Sequence, residues 1–121
     1  MSKYFSPSEF KRCTPACNIG DMDPAFLSKL DMVREVAGIP LVLNSAYRSR
    51  AWEVQHGRAG TSAHCEGRAV DIRCNTSANR SRIIRAALAC GIRRIGIAKT
   101  YVHLDASPNH QQDVIWDYYA S

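Results

Sequence analysis

Two segments, Ser62-Ala-His-Cys-Glu-Gly-Arg-Ala-Val-Asp71 and Tyr101-Val-His-Leu-Asp105, constrain this chain more tightly than anything else in it. Arg68–Arg73 and Tyr101–Asp105 read as short strands, and Gly67 sits where the chain must turn back between His64 and Asp71. Residues two apart on a strand share a face, so Tyr101, His103 and Asp105 point the same way. With His64 leaving a loop, Asp71 on the strand that follows and His103 on a neighbouring strand, two imidazoles and one carboxylate converge. That is the donor set a catalytic zinc takes from protein, with a fourth position left for water. Donors fixed on a sheet and its adjoining loop make a rigid, open tripod. Asp105 beside them is expected to serve as general base and acid. Glu66 is its rival, with a direction made uncertain by the turn.

The flanking sequence supplies the scaffold. Ser6-Pro-Ser-Glu9 has the layout of a capping box and predicts a short helix through Phe10 and Lys11. Asp23-Pro24 starts a second helix, with Leu27, Leu30, Val33 and Ala37 on one face and Gly38 as its stop. Pro40–Asn44 reads as a short strand, and the polar, glycine-bearing stretch 45–67 as loops lining a site. Ser77 or Asn79 caps a further helix carrying Ile83, Ile84, Ala87 and Leu88. Arg94–Ala98, Tyr101–Asp105 and Val114–Tyr118 are strand-like. Helices first and strands later predict an α+β fold, a small antiparallel sheet with helices packed on it.

At 121 residues the chain has the size of one domain, and we expect 1–121 to fold as a single unit, a monomer. No apolar run is long enough to span a bilayer and the N-terminus lacks a signal-peptide layout, so the expectation is cytoplasmic synthesis with no membrane partner. Any role outside the membrane would then need another factor, such as a lysis or secretion machine. The net charge of +5 favours polyanions, but no run of like charges or aromatic stacking pattern accompanies it, and nucleic acid is not expected as a partner. Five cysteines, Cys13, Cys17, Cys65, Cys74 and Cys90, exclude a complete disulfide framework and read as reduced structural thiols; Cys13 and Cys17 could also pair or hold half a metal site.

Ser45-Ala-Tyr-Arg48-Ser, Ser62-x-His64-x-x-Gly67-x-Ala69-x-Asp71 and Val102-His103-x-Asp105 together resemble the M15 group of zinc peptidases, in particular its small, phage-like branch. That group includes D-alanyl-D-alanine carboxypeptidases and dipeptidases, and the resemblance runs from Ser6 to Trp116. It implies one Zn2+ held by His64, Asp71 and His103, with Arg48 facing the scissile carbonyl to stabilise the oxyanion and Ser62 near the substrate. Tyr101 is a second candidate substrate contact. The implied substrate is a peptide bond at a D-amino acid in bacterial peptidoglycan, cut by a carboxypeptidase or an endopeptidase. Several members of the wider group carry the catalytic acid three residues before the last histidine ligand, where this chain has Thr100; Asp105 or another residue must then act as base.

Competing readings exist for each residue. Asp71 could be a buried partner of Arg48 or Arg73, Arg48 an anchor for its loop, Asp105 a group that orients His103, and Tyr101, Tyr47 and Trp52 packing residues. His56 and His110 read as solvated loop residues. A fourth protein ligand, from His56, Cys65 or Glu66, would close the site and make the chain a catalytically inactive, zinc-containing wall-binding module.

Overall fold

In a computed structural model, residues 2–118 are described. The chain opens with α1 (Pro7–Lys11), whose start is tied by Glu9 Oε2 accepting from the Ser6 backbone N–H at 2.7 Å. α2 (Pro24–Ala37) begins with the Asp23 carboxylate accepting from Phe26 N–H at 2.9 Å and stops at Gly38 in a left-handed conformation, as its sequence predicts. β1 (Leu43–Ser45), α3 (Arg50–Gln55), β2 (Ala69–Arg73), α4 (Ser77–Ala89), β3 (Arg94–Ile97), β4 (Tyr101–Asp105) and β5 (Val114–Asp117) follow.

The five strands form one sheet in the order β1-β2-β4-β3-β5. All pairings are antiparallel except β3 with β5, which is parallel, so the sheet is mostly and not wholly antiparallel. The cause lies in the connection: residues 106–113 cross from the end of β4 to the start of β3, where β5 begins with Val114 beside Arg94. One face carries the core. Val70, Ile72, Ile95, Val102 and Leu104 pack with Phe10, Phe26, Leu30, Val33, Ile83 and Ala87, all buried, and α4 lies on β4 with α2 against α4. At about 0.8 kcal/mol per buried CH2, this cluster supplies the main drive to fold.

β2, β3 and β5 are each one residue shorter than their sequence predicts, and three other differences stand beside them. The first strand is Leu43–Ser45 and not Pro40–Asn44, because Pro40 has no N–H to give and pairing with β2 starts only at Leu43, with a register shift before Ser45. The stretch 45–67 contains α3 and a 3-10 turn, Ala63–Glu66. α4 is capped by Thr76, whose hydroxyl accepts from Asn79 N–H at 3.2 Å, in place of Ser77 or Asn79.

Candidate metal centre and cleft

The face of the sheet opposite the core holds the candidate site. Register places Ser45, Asp71, His103, Gly96 and Trp116 in one row across all five strands. His64 joins them from the turn Ala63–Glu66, which Gly67 ends at φ +70. A side chain at Gly67 would press into the Asp21 carbonyl, so both the backbone angle and the space require glycine. The Arg48 N–H donates to the His64 carbonyl at 3.2 Å, joining the two halves of the site.

Both imidazoles are oriented through one nitrogen and offer the other. His64 Nδ1 lies 2.6 Å from the Ala46 carbonyl, to which it donates, leaving Nε2 directed at Asp71 Oδ1, 3.4 Å away. His103 Nε2 lies 2.6 Å from Asp105 Oδ2, leaving Nδ1 facing the same Asp71 oxygen at 2.9 Å. The three ligand atoms lie within 4.8 Å of one another, and all three residues are buried. Zinc bonds of about 2.0–2.2 Å put tetrahedral donor atoms roughly 3.3–3.6 Å apart, close to the spacing here. The charge balance agrees. Burial would raise the Asp71 carboxyl, but the hydrogen bonds and charge of His103 and His64 hold it well below the usual carboxylate range. Burial works against a charged His103, yet Asp105 and Asp71 raise its pKa, so the pocket favours a cation. The residues fit a metal ion.

Asp105, expected as the base, is 1% exposed and has both oxygens engaged. Oδ2 takes the His103 contact; Oδ1 accepts from Arg94 Nε at 2.7 Å and from Ser107 N–H at 3.1 Å. Its geometry is that of a group orienting a histidine ligand. Glu66 turns away from the cleft, accepting from Ser107 Oγ at 2.8 Å and Arg68 at 3.1 Å.

Arg48 bridges two carboxylates, with NH2 3.1 Å from Asp71 Oδ2 and NH1 3.4 Å from Glu53 Oε2, while its Nε donates to Ser45 Oγ at 3.0 Å. Glu53 carries no signal that the sequence reading used. It is fully buried and accepts from Ser62 Oγ at 2.6 Å and Cys65 Sγ at 3.2 Å. Burial pushes its carboxyl up, and the bonds from Ser62, Cys65 and Arg48 more than offset this and lower it. The clue available in sequence was Ser49 as a helix N-cap, which turns Arg50–Gln55 into a helix and Glu53 inward; Ser49 Oγ accepts from Trp52 N–H at 3.0 Å.

These residues border an open cleft of about 250 Å3, with Ser62, Tyr101, Trp116, Tyr118, Arg58 and His110 around it. His110 is a loop residue, as expected, and also borders the cleft; its Nε2 lies 3.0 Å from the Thr61 carbonyl. His56 stacks on Trp52 with ring centroids 3.8 Å apart, and Cys65 is bound to Glu53, so among the described residues no fourth side chain joins the tripod. All five cysteines are free thiols, four of them buried.

An α+β domain with an open His-Asp-His tripod on the floor of a cleft is built as a metal-dependent hydrolase is built. The family model for peptidase M15 matches residues 3–105, and the chain belongs to that family of metallopeptidases. Its fold is shared with the Serratia marcescens L-Ala D-Glu endopeptidase ChiX, at a TM-score of 0.53 and 20% identity, over 81% of this chain and 88% of that one. No curated protein matches the sequence.

Proposed function

We propose that this chain is a zinc-dependent peptidase that hydrolyses a peptide bond at a D-amino acid in bacterial peptidoglycan, as a D-alanyl-D-alanine carboxypeptidase or as a cell-wall endopeptidase. The observation that carries the proposal is the tripod, in which each histidine is held by a hydrogen bond at one nitrogen and presents the other beside Asp71, open to the cleft. Membership of the M15 family and a fold in common with an L-Ala D-Glu endopeptidase support the substrate class.

His64, Asp71 and His103 would hold the zinc, which when bound would supply a Lewis acid for the peptide carbonyl and lower the pKa of water. The remaining work falls to the chain. Arg48, fixed on one side by Asp71 and Glu53, carries the positive charge that meets the developing oxyanion. Ser62 and Tyr101 border the bound peptide. Asp105 acts through His103 as a positioning residue, holding the ring proton at Nε2 so that Nδ1 stays free. The general base is then a group other than Asp105. The rival reading, an inactive wall-binding module, needs a fourth ligand, and His56, Cys65 and Glu66 all have other partners.

The test is elemental analysis beside a muropeptide assay. The parent should carry about one zinc per chain, and His64→Ala should fold, lose the metal and lose hydrolysis. Hydrolysis that persists in the metal-free variant, or a parent that takes up no zinc on reconstitution, overturns the proposal.

A further inference from the structure

The cleft contains three arginines, and two are matched by carboxylates: Arg48 by Asp71 and Glu53, Arg94 by Asp105. Arg58 is different. It is exposed at the rim, its backbone N–H donates to the Glu53 carbonyl at 2.9 Å, and its guanidinium lies over the Trp52 ring at 5.5 Å. Among the described residues no acidic group pairs with it. Its charge is felt inside the cleft, where Arg58 and Arg48 both oppose the rise that burial imposes on the Tyr101 hydroxyl.

Trp52 explains why this charge is held in place. Arg48 sits 5.6 Å from the same indole, on which His56 stacks, so both guanidiniums lie within cation–π reach of one ring. A cation–π contact uses none of a guanidinium's N–H donors and leaves them for a planar anion. The two arginines are thus close enough that one to three residues of extended peptide, at about 3.5 Å each, span from one to the other.

We propose that Arg58 is a specificity-determining residue that receives a free carboxylate of the bound peptide, one to three residues from the bond cut beside Arg48. The inference rests on the peptidase reading and names the chemistry of the substrate: an acid form in preference to its amide. In a peptidoglycan stem peptide such a carboxylate comes from two sources, the α-carboxylate of a γ-linked D-glutamate or the C-terminus.

Stopped-flow tryptophan fluorescence on the zinc-loaded protein reads binding before turnover. The probes are the synthetic peptide L-Ala-γ-D-Glu-L-Lys-D-Ala-D-Ala, its D-Glu α-amide and its C-terminal amide. The parent should bind the free acid about tenfold more tightly than one of the two amides, and that amide identifies the carboxylate. Arg58→Gln should weaken binding of the free acid about tenfold and erase the difference between acid and amide, with Arg58→Lys restoring part of it. Circular dichroism and zinc content check that the variants fold. Equal binding of all three forms by the parent, no binding of any, or discrimination retained in Arg58→Gln overturns the inference. Cleavage is followed separately: a peptide bound with acid preference but left uncut refutes the peptidase reading alone, whereas cleavage without that preference refutes only the role of Arg58.

Discussion

At the scale of single residues, the decisive question is what Asp105 does. A general base must reach the proton it takes, whereas Asp105 is buried with both oxygens engaged by His103, Arg94 and Ser107. The two roles separate in one experiment. If Asp105 orients His103, Asp105→Asn should weaken zinc affinity about 10–100-fold while activity recovers as zinc is raised to saturation. If it is the base, the loss of roughly 10²–10⁴-fold persists at full zinc occupancy. Zinc titration monitored by hydrolysis rate decides between them. The convergence of the candidate tripod was legible in the sequence because its geometry is local: a glycine turn between His64 and Asp71 and a two-residue step on a strand need no knowledge of the rest of the fold. Glu53 was not, because its burial depends on where α3 lies against Ser62 and Cys65, contacts 9 and 12 residues away along the chain.

At the scale of elements, the site is one row of a sheet, and the row works because it contains a glycine. Gly96 stands between His103 on β4 and Trp116 on β5. A Cβ there would lie 2.7 Å from Trp116 Nε1 and 2.9 Å from Tyr118 Cε2, so the indole occupies the space that the glycine leaves. Trp116 in turn approaches the His103 ring, with centroids 5.4 Å apart, and lies under Arg94 at 5.0 Å. Gly96→Ala should therefore leave the sheet folded, at an overpacking cost of about 1–3 kcal/mol, while displacing one aromatic wall of the cleft. The indole N–H signal of Trp116 in an NMR spectrum should shift with that of Trp52 unmoved; two unmoved signals would mean that Trp116 does not depend on Gly96. Apart from α3, which lies in the stretch read as loops, the helices and strands were readable from caps and periodicity, and α2 was read to its boundaries because Asp23, Pro24 and Gly38 mark them chemically. The direction of β5 was not, since parallel pairing with β3 is set by where residues 106–113 cross and no residue within Val114–Asp117 encodes it.

At the scale of the whole molecule, the core and the candidate metal site occupy opposite faces of the same sheet, and this separation predicts how the fold responds to chelation. Val102 and Leu104 point into the apolar core while His103 between them points to the cleft, and Val70 and Ile72 flank Asp71 in the same way. The tripod is also supported without an ion: β2 and β4 pair over five residues, His64 donates to Ala46, and Asp71 is paired with Arg48. Chelation should then leave the secondary structure intact, unlike a small domain whose metal is its core. If the tripod takes zinc and the unfolded chain does not, free zinc at a hundred times its Kd should add about 2.7 kcal/mol of stability, a rise in Tm on the order of 10 °C for a domain of this size. Far-UV circular dichroism and thermal melts in chelator and in graded zinc measure both quantities. A native spectrum in chelator with a Tm that climbs with zinc supports a preformed site on a self-sufficient scaffold; collapse of the spectrum on chelation would mean that the metal centre holds the sheet together and that the core on the other face cannot do so alone.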